Sequence, residues 1–274
     1  MSKIIFSDLD GTLLSDDKSI SQKNRQAIQD LLDEGHYFVI CTGRPVASGR
    51  EVAKELGLTS SGCYMVCFNG AVVYDCAADQ VLKRNSVPFN YMVHIFEEAQ
   101  KAGIYVQTYN ETDVIALSHT KELDYYVEHS KMSYKVVNNL YDAMDMEPQK
   151  VLLVELEDKQ RLLDFKNKLE PWSKDKLNAF FSCEEYLEFC PKGIDKGAGV
   201  TYLSEFLNIP LSDVIAVGDE RNDIPMLEKA GLGIAMKNAQ EDVFPSADYV
   251  TEANNNEDAI AEVIYKFVLK DKKA

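Results

Sequence analysis

The chain has 274 residues, a formal net charge of −16 and 46% apolar residues. This length exceeds what one small domain needs, and it favours a core domain with an inserted unit. The acidic charge disfavours nucleic-acid binding and means that an anion site needs a local cation or metal. No run approaches the roughly 18 apolar residues of a membrane span, so we expect no transmembrane segment.

The first predicted element is a buried strand over residues 3–8, and it ends in Asp8 and Asp10. Two aspartates at i and i+2 repel each other when ionised, so a cation, a proton or a reaction is needed to explain them. A solvated acidic turn is the plain alternative, because Asp and Gly are common in turns. These acids also interrupt the apolar run too early for a signal peptide, and we therefore expect a cytoplasmic protein.

Strands and helices then alternate over the next sixty residues. Ser21 is a predicted N-cap for a helix that Gly35 ends. Apolar runs at 36–41 and 64–68 predict two further strands, with a helix between them that extends to about Leu56. This rhythm predicts an α/β fold whose Rossmann-like parallel sheet is covered on both faces.

The middle of the chain has a different pattern. From about Arg84 to Phe189, strand-like segments follow each other closely and helical patterns separate some of them. This mixture predicts an α+β unit with a largely antiparallel sheet. A buried strand at 214–217 marks the return of the βα rhythm. We therefore predict a core domain of residues 1–83 and 190–274, interrupted by an inserted domain of residues 84–189.

Three motifs lie just beyond the carboxyl ends of predicted parallel strands, where open sheets form their sites. They are Asp8 with Asp10, the run 42–44, and the run 219–223. A fourth motif, residues 192–197, opens a helix pattern over 198–206 and supplies a cation beside a helix N-terminus, which favours phosphate oxygens.

Together these motifs resemble the haloacid dehalogenase superfamily and the phosphatases within it. Residues 8–13 match its first motif, Thr42 its second, Lys196 its third and residues 218–223 its fourth. The blocks 42–45 and 68–71 are similar to the Cof-type branch, whose C2B-type α+β cap is inserted after the third core strand. The inserted domain would then be the cap that determines substrate specificity.

The resemblance implies a Mg²⁺-dependent phosphatase that forms an aspartyl-phosphate intermediate. Asp8 is implied to be the nucleophile, and Asp10 the general acid and base. The metal is implied to bind Asp8, Asp10 through its backbone carbonyl, and Asp219. Because Asp10 needs a proton, we expect its carboxylate to face away from the metal, beside an apolar or hydroxyl-bearing neighbour.

The remaining site residues are implied by the same resemblance. Asp223 is implied to orient Lys196 or a metal-bound water, and Arg44 and Asn69 are candidate substrate contacts. The residues implied to bind phosphate oxygens are Thr42, Gly43, Lys196 and Asn222.

Several of these residues have alternative interpretations. Lys192 competes with Lys196 for the role of the cation, and Arg44 is equally compatible with a structural role. Asp223 could also cap the helix that begins at Ile224. Glu220 departs from the small or amide residue that is common at this position of the family, and we expect it to face the surface.

The leading prediction is a phosphomonoesterase for small phosphorylated metabolites, with sugar phosphates preferred. A phosphomutase or phosphotransferase for hexose phosphates is the alternative. A non-enzymatic phospho-switch follows, and the complete set of Asp10, Thr42, Lys196 and Asp219 argues against it. No pattern indicates an oligomeric state. The six cysteines lack a CxxC spacing, and we expect buried free thiols.

Overall fold

The computed structural model describes residues 2–130 and 132–270. The strands of this part are, in chain order, β1 (Ile4–Ser7), β2 (Tyr37–Cys41), β3 (Cys63–Cys67), β4 (Val72–Asp75), β5 (Gln80–Arg84), β6 (Tyr105–Tyr109), β7 (Asp113–Ala116), β8 (Ser133–Val136), β9 (Val151–Val154), β10 (Leu177–Cys183), β11 (Tyr186–Pro191), β12 (Val214–Gly218), β13 (Leu232–Ala235) and β14 (Tyr249–Val250). Its α-helices are α1 (Gln22–Asp33), α2 (Val46–Glu55), α3 (Phe89–Ala102), α4 (Lys121–Ser130), α5 (Lys159–Ser173), α6 (Lys196–Phe206), α7 (Ile224–Lys229) and α8 (Ala259–Phe267). Across these described residues, none of the helices combines the length and apolar character that crossing a membrane requires.

Two compact units divide the chain. The first contains the described residues up to Gly43, then Gly49–Lys83, and those from Asp195 onward. The second contains Arg44–Ser48 and Arg84–Ile194. The sequence placed its boundaries at 83/84 and 189/190, whereas β11 continues to Pro191 and the second changeover follows Ile194.

The first unit is built on a sheet with the strand order β14-β13-β12-β1-β2-β3-β4-β5. From β14 to β3 each neighbouring pair is parallel. Every residue of β1 is buried, as expected for a strand that is covered on both faces. Phe6 of β1 lies opposite Ala216 of β12 and Val39 of β2, and all three side chains belong to one apolar core. The predicted parallel α/β core is therefore confirmed.

The ends of α1 illustrate how local sequence determines this unit. The Ser21 hydroxyl accepts a hydrogen bond from the Asn24 backbone N–H at 3.0 Å, which caps the helix as predicted. Gly35 follows the helix with φ +77°, a conformation that glycine adopts without steric cost. Ala27, Ile28 and Leu31 form the buried face between these ends.

Three strands of the first sheet were not predicted. β4 pairs antiparallel to β3, β5 follows it at the sheet edge, and β14 has only two residues. β5 lacks a continuous apolar run and is partly exposed, so its sequence has no strong strand pattern. The core sheet is therefore parallel except at this edge.

The second unit contains a sheet with the order β10-β11-β9-β6-β7-β8. Its pairs are antiparallel except for β7 and β8, which confirms the predicted, largely antiparallel sheet. Ile95 of α3, Phe165 of α5 and Phe189 of β11 belong to its apolar core. The free thiols are mostly buried as expected, but Cys76 is partly exposed and Cys183 is exposed.

Candidate active site

The carboxyl edge of three adjacent parallel strands brings the predicted motifs together. Asp8 follows β1, Thr42 follows β2 and Asp219 follows β12, and the sheet order places β1 between the other two. The Asp8 and Thr42 backbone N–H groups still donate to the neighbouring strands, at 2.9 Å and 2.8 Å. All three side chains are buried, so the sheet itself fixes their positions.

Lys196 supplies a buried positive charge at this edge. It is the first residue of α6 and has no exposed surface. Its Nζ donates to Asp8 Oδ1 at 2.5 Å and also to Asp223 Oδ1. Asp195 caps α6 by accepting from the Ala198 N–H at 2.8 Å, which fixes the start of the helix. Lys192 is exposed and donates instead to the backbone oxygen of Lys174.

Asp223 orients the groups around it. One carboxylate oxygen accepts from Lys196, and the other accepts from the backbone N–H groups of Asp219 and Glu220, each at 2.9 Å. Asp223 occupies the N-cap position of α7, as the sequence suggested, but its side chain makes no capping hydrogen bond to that helix. The Asp223 carboxylate instead stabilises the short turn that precedes α7, because it accepts a hydrogen bond from the Glu220 backbone N–H at the start of that turn.

The acidic groups of this site repel one another. Burial raises the pKa of the Asp8 carboxyl, and the charge of Asp223 adds to this, while Lys196 opposes it. Burial also raises the pKa of Asp219, with further contributions from Asp8 and Asp223. Burial alone would lower the pKa of Lys196. The negative charges of Asp223 and Asp8 have the larger effect and raise the Lys196 pKa above its ordinary value. The single positive charge of Lys196 does not balance the buried carboxylates. A bound cation would therefore stabilise their ionised forms.

Among the described residues, Asp8, Asp219 and Asp223 have carboxylate oxygens within 4.8 Å of one another. Such a set of oxygen ligands suits a hard divalent cation. The sequence proposed Asp8, Asp219 and the backbone carbonyl of Asp10, so this carboxylate cluster contains both proposed carboxylates and adds Asp223. Because both Asp223 oxygens already accept hydrogen bonds, Asp8 and Asp219 are the better ligands.

Thr12 and Gly11 position Asp219, and the sequence had assigned neither residue a role. The Thr12 hydroxyl donates to Asp219 Oδ1 at 2.6 Å. Gly11 has φ +83°, and a Cβ at this position would overlap Asp219 Oδ2. The Asn238 side chain fixes the same turn by donating to the Gly11 carbonyl at 2.8 Å. The first motif thus holds the fourth motif in place by direct contact.

Asp10 has a charged neighbour that the sequence did not indicate. Its Oδ1 accepts from Lys18 Nζ at 2.9 Å, in a pair whose side chains are 40% and 60% exposed, respectively. This ion pair is a contact that the sequence did not suggest, and an apolar or hydroxyl-bearing neighbour of Asp10 stays a prediction. Lys18 lies in the loop before α1 with φ +64°, and the sequence pattern gives no indication of this fold-back. Among the described residues, the Asp10 carboxylate is not part of the cluster formed by Asp8, Asp219 and Asp223.

Asn222 and Thr42 are linked through Asn69. Asn222 Nδ2 donates to Asn69 Oδ1 at 3.0 Å, and the Asn69 N–H donates to the Thr42 carbonyl at 3.1 Å. A Cβ at Gly43 would lie 3.1 Å from Asn69 Oδ1, so the two residues pack closely. Only 1% of Asn69 is exposed, which leaves it poorly placed for the substrate contact that the sequence suggested.

Glu220 and Arg44 differ in their surroundings. Glu220 is half-buried, not surface-facing: its carboxylate caps the turn before α7, and burial raises its pKa. Arg44 falls in the second unit. There burial raises the pKa of the Tyr126 hydroxyl, and the charges of Lys150 and Arg44 partly offset this rise.

Comparisons with a family model, with related sequences and with a solved structure all indicate the same protein family. The sequence model of a family described as haloacid dehalogenase-like hydrolase matches residues 5–264. A 5-amino-6-(5-phospho-D-ribitylamino)uracil phosphatase of Bacillus subtilis is 31% identical over 269 residues, which cover 97% of this chain and 96% of that protein. The phosphatase YwpJ of the same organism is 26% identical over 96% of this chain and 98% of its own length. A crystal structure of a haloacid dehalogenase-like hydrolase from Bacteroides thetaiotaomicron matches with a TM-score of 0.89 and 30% identity, covering 97% of this chain and 99% of the other.

Proposed function

The chain belongs to the haloacid dehalogenase-like hydrolases and is a phosphatase. We propose that it is a Mg²⁺-dependent phosphomonoesterase for small phosphorylated metabolites, with sugar phosphates preferred. The observation that carries this proposal is the placement of Asp8. Its carboxylate is buried at a strand end and contacts Lys196, and Asp219 follows the neighbouring strand. This arrangement supports Asp8 as an anionic nucleophile, with Lys196 and a Mg²⁺ ion as the positive charges that would bind the phosphate.

In the first half-reaction, an Asp8 oxygen attacks phosphorus and the bond from phosphorus to the ester oxygen breaks. Asp10 gives its proton to that leaving oxygen, so the alcohol departs neutral. In the second half-reaction, the Asp10 carboxylate takes a proton from a water whose oxygen attacks the same phosphorus. The bond between phosphorus and Asp8 then breaks, which releases phosphate and restores both carboxyl groups to their starting states.

Four residues are proposed to bind the phosphoryl oxygens, where charge develops in the transition state. Lys196 supplies a positive charge and Asn222 an amide N–H. Thr42 supplies its hydroxyl and Gly43 its backbone N–H. Asp223 keeps the Lys196 ammonium directed at Asp8, because it accepts a second hydrogen bond from the same Nζ.

Asp8 and Asp219 would hold Mg²⁺, together with the backbone carbonyl of Asp10. The carboxylate cluster fits this ion because its donors are hard oxygens and its negative charge exceeds that of the lysine. A bound Mg²⁺ would reduce the repulsion between the anionic nucleophile and the anionic phosphate. Thr12 would orient Asp219 toward the ion through its hydrogen bond to Oδ1.

We assign substrate selection to the second unit, as the cap of this enzyme. One relative is named as a phosphatase of a compound with a 5-phospho-D-ribityl group, that is, a phosphate ester on an open-chain sugar alcohol. The test is a panel that contains hexose phosphates, pentose and pentitol phosphates, and the ribitylaminouracil phosphate. Release of phosphate from sugar or polyol esters supports the proposal. Exclusive release from another class overturns the preference, and isomerised hexose phosphate without free phosphate identifies a mutase.

Mg²⁺ should stabilise the protein more strongly at higher pH. Because the pKa values of Asp8 and Asp219 are raised, the folded protein binds more protons than the unfolded chain above the ordinary Asp pKa of about 4. Stability without metal therefore falls as the pH rises from about 4 toward neutrality. Mg²⁺ competes with those protons, so its stabilisation grows over the same range.

Thermal unfolding with EDTA and with excess Mg²⁺ measures this effect at about pH 5 and about pH 8. We expect a larger increase in melting temperature at the higher pH. The Asp219→Asn variant should lose most of the increase at both values. An increase that is equal at both pH values, or that persists in the variant, would exclude a metal on these carboxylates.

Lys18 should set the pH at which Asp10 acts. An adjacent ammonium favours the ionised carboxylate, and an exposed pair of this kind is worth about 0.2–1 kcal/mol. Lys18→Met should therefore move the descending limb of the kcat profile to higher pH, by up to about 0.7 units. Lys23→Met, which removes an exposed positive charge on α1, is the control and should leave the profile unchanged. If the descending limb of the kcat profile did not move in Lys18→Met, the ion pair between Lys18 and Asp10 would have no role in catalysis.

A further inference from the structure

The turn after β3 has an unusual backbone. Phe68, Asn69 and Gly70 have φ values of +51°, +52° and +102°, so three consecutive residues are left-handed. Only glycine adopts this conformation without cost, although Asn tolerates it better than most residues. All three residues are buried. Such strained backbone persists where surrounding contacts hold it, and it is common at functional sites.

This turn contacts several of the groups proposed to bind phosphate. Asn69 donates from its backbone to the Thr42 carbonyl and packs against Gly43. Gly70 packs against the carbonyl of Asp195, the residue that caps the helix beginning with Lys196, so closely that a Cβ would overlap it. The left-handed turn therefore contacts both the Thr42–Gly43 segment and the residue that caps the Lys196 helix.

The side chain of Asn69 reaches a further phosphate-binding group. Its Oδ1 accepts from Asn222 Nδ2 at 3.0 Å. A carboxamide nitrogen carries two N–H groups, so this bond uses one of them and fixes the direction of the other. With only 1% of its surface exposed, Asn69 acts on the site through Asn222 and does not need to meet the substrate.

We propose that Asn69 is a positioning residue that holds Asn222 and the Thr42–Gly43 backbone in the geometry needed for the phosphate. The left-handed conformation directs its side chain at Asn222 while its N–H remains on Thr42. This role deepens the proposed function and rests on it, since it assumes that Asn222 binds a phosphoryl oxygen.

The primary test is a double-mutant cycle between Asn69→Gly and Asn222→Ala, measured with p-nitrophenyl phosphate and by calorimetric binding of inorganic phosphate. Glycine keeps the left-handed backbone and removes the side chain, and with it the oxygen that accepts from Asn222. We expect Asn69→Gly to raise KM and weaken phosphate binding about tenfold, as loss of one hydrogen bond to phosphate would. In the Asn222→Ala background the same change should have almost no further effect, because the two residues act as a unit.

Asn208→Gly is the matched control. Asn208 also has a left-handed backbone, with φ +54°, but it is exposed and follows α6 at the end remote from Lys196. The same chemical change there should leave KM and phosphate binding unaltered. Independent effects in the cycle, or unchanged phosphate binding in Asn69→Gly, would overturn the positioning role.

A second variant and a spectroscopic signal keep the test independent of activity. The side-chain amide resonance of Asn222 should shift toward that of an unbonded amide in Asn69→Gly, whereas Asn69→Asp keeps an acceptor oxygen and should not shift it in that direction. An equal shift in both variants would contradict the proposal. If the unaltered protein releases no phosphate from any ester, the proposed function fails, whereas the Asn222 resonance still reports on the positioning contact.

Discussion

Asp8→Asn should lower kcat for phosphomonoesters by about 10⁴-fold or more, because the amide cannot attack phosphorus and no other nucleophile replaces it. The substitution also removes one negative charge from a buried cluster whose carboxylates repel one another. The folded protein should therefore remain at least as stable as the original. Phosphate release at saturating substrate with Mg²⁺ measures kcat, and the melting temperature measures the stability of the variant.

Asp33→Asn is the control for this change, since Asp33 is exposed at the end of α1. Its activity should match that of the unaltered enzyme. If Asp8→Asn kept more than a few per cent of the original kcat, the covalent route would be wrong. A metal-activated water attacking phosphorus directly would then become the better mechanism.

Lys196→Met should lower the free energy of unfolding by about 3–5 kcal/mol and abolish phosphatase activity. The lysine contacts Asp8 and Asp223, and it has no exposed surface. Removing one partner of a buried ion pair leaves uncompensated buried charge, which is the costly case. Urea unfolding near neutral pH without added metal ions should show a lower midpoint and an unchanged slope.

Lys192→Met distinguishes this effect from simple loss of a positive charge. Lys192 is four residues away and exposed, so its removal should change stability by no more than about 0.5 kcal/mol. Adding Asp223→Asn to Lys196→Met should recover part of the lost stability, because it removes one of the carboxylates left unpaired. Equal losses in the Lys192 and Lys196 variants would contradict the buried-pair explanation.

The sequence predicted the convergence of the main site residues because they follow buried strands. Asp8, Thr42 and Asp219 each come directly after an apolar run, and parallel strands end at the same edge of a sheet. Lys196 could be preferred over Lys192 only through the family pattern, since both precede the same apolar helix. The structure adds the physical distinction that one is fully buried on two carboxylates and the other is exposed.

The contacts that support these residues could not be predicted. Lys18 reaches Asp10 through a loop whose course depends on a left-handed backbone at Lys18 itself. Asn238 reaches the Gly11 carbonyl from a segment 227 residues later in the chain. Thr12 was visible within the first motif, but its partner, Asp219, is 207 residues away. Sequence periodicity describes buried faces, whereas these side chains act across irregular loops.

Chemical trapping of a phosphorylated Asp8 tests the covalent mechanism directly. The Asp10→Asn variant should accept phosphate from p-nitrophenyl phosphate, whose leaving group needs little protonation, and should lose it slowly because the base for water is missing. Acid quenching, reduction with borodeuteride and peptide mass spectrometry would then report acyl-phosphate formation as deuterated homoserine. We predict that label at position 8 alone. Phosphate release with Asp8 unlabelled, or label at another carboxylate, would contradict the account.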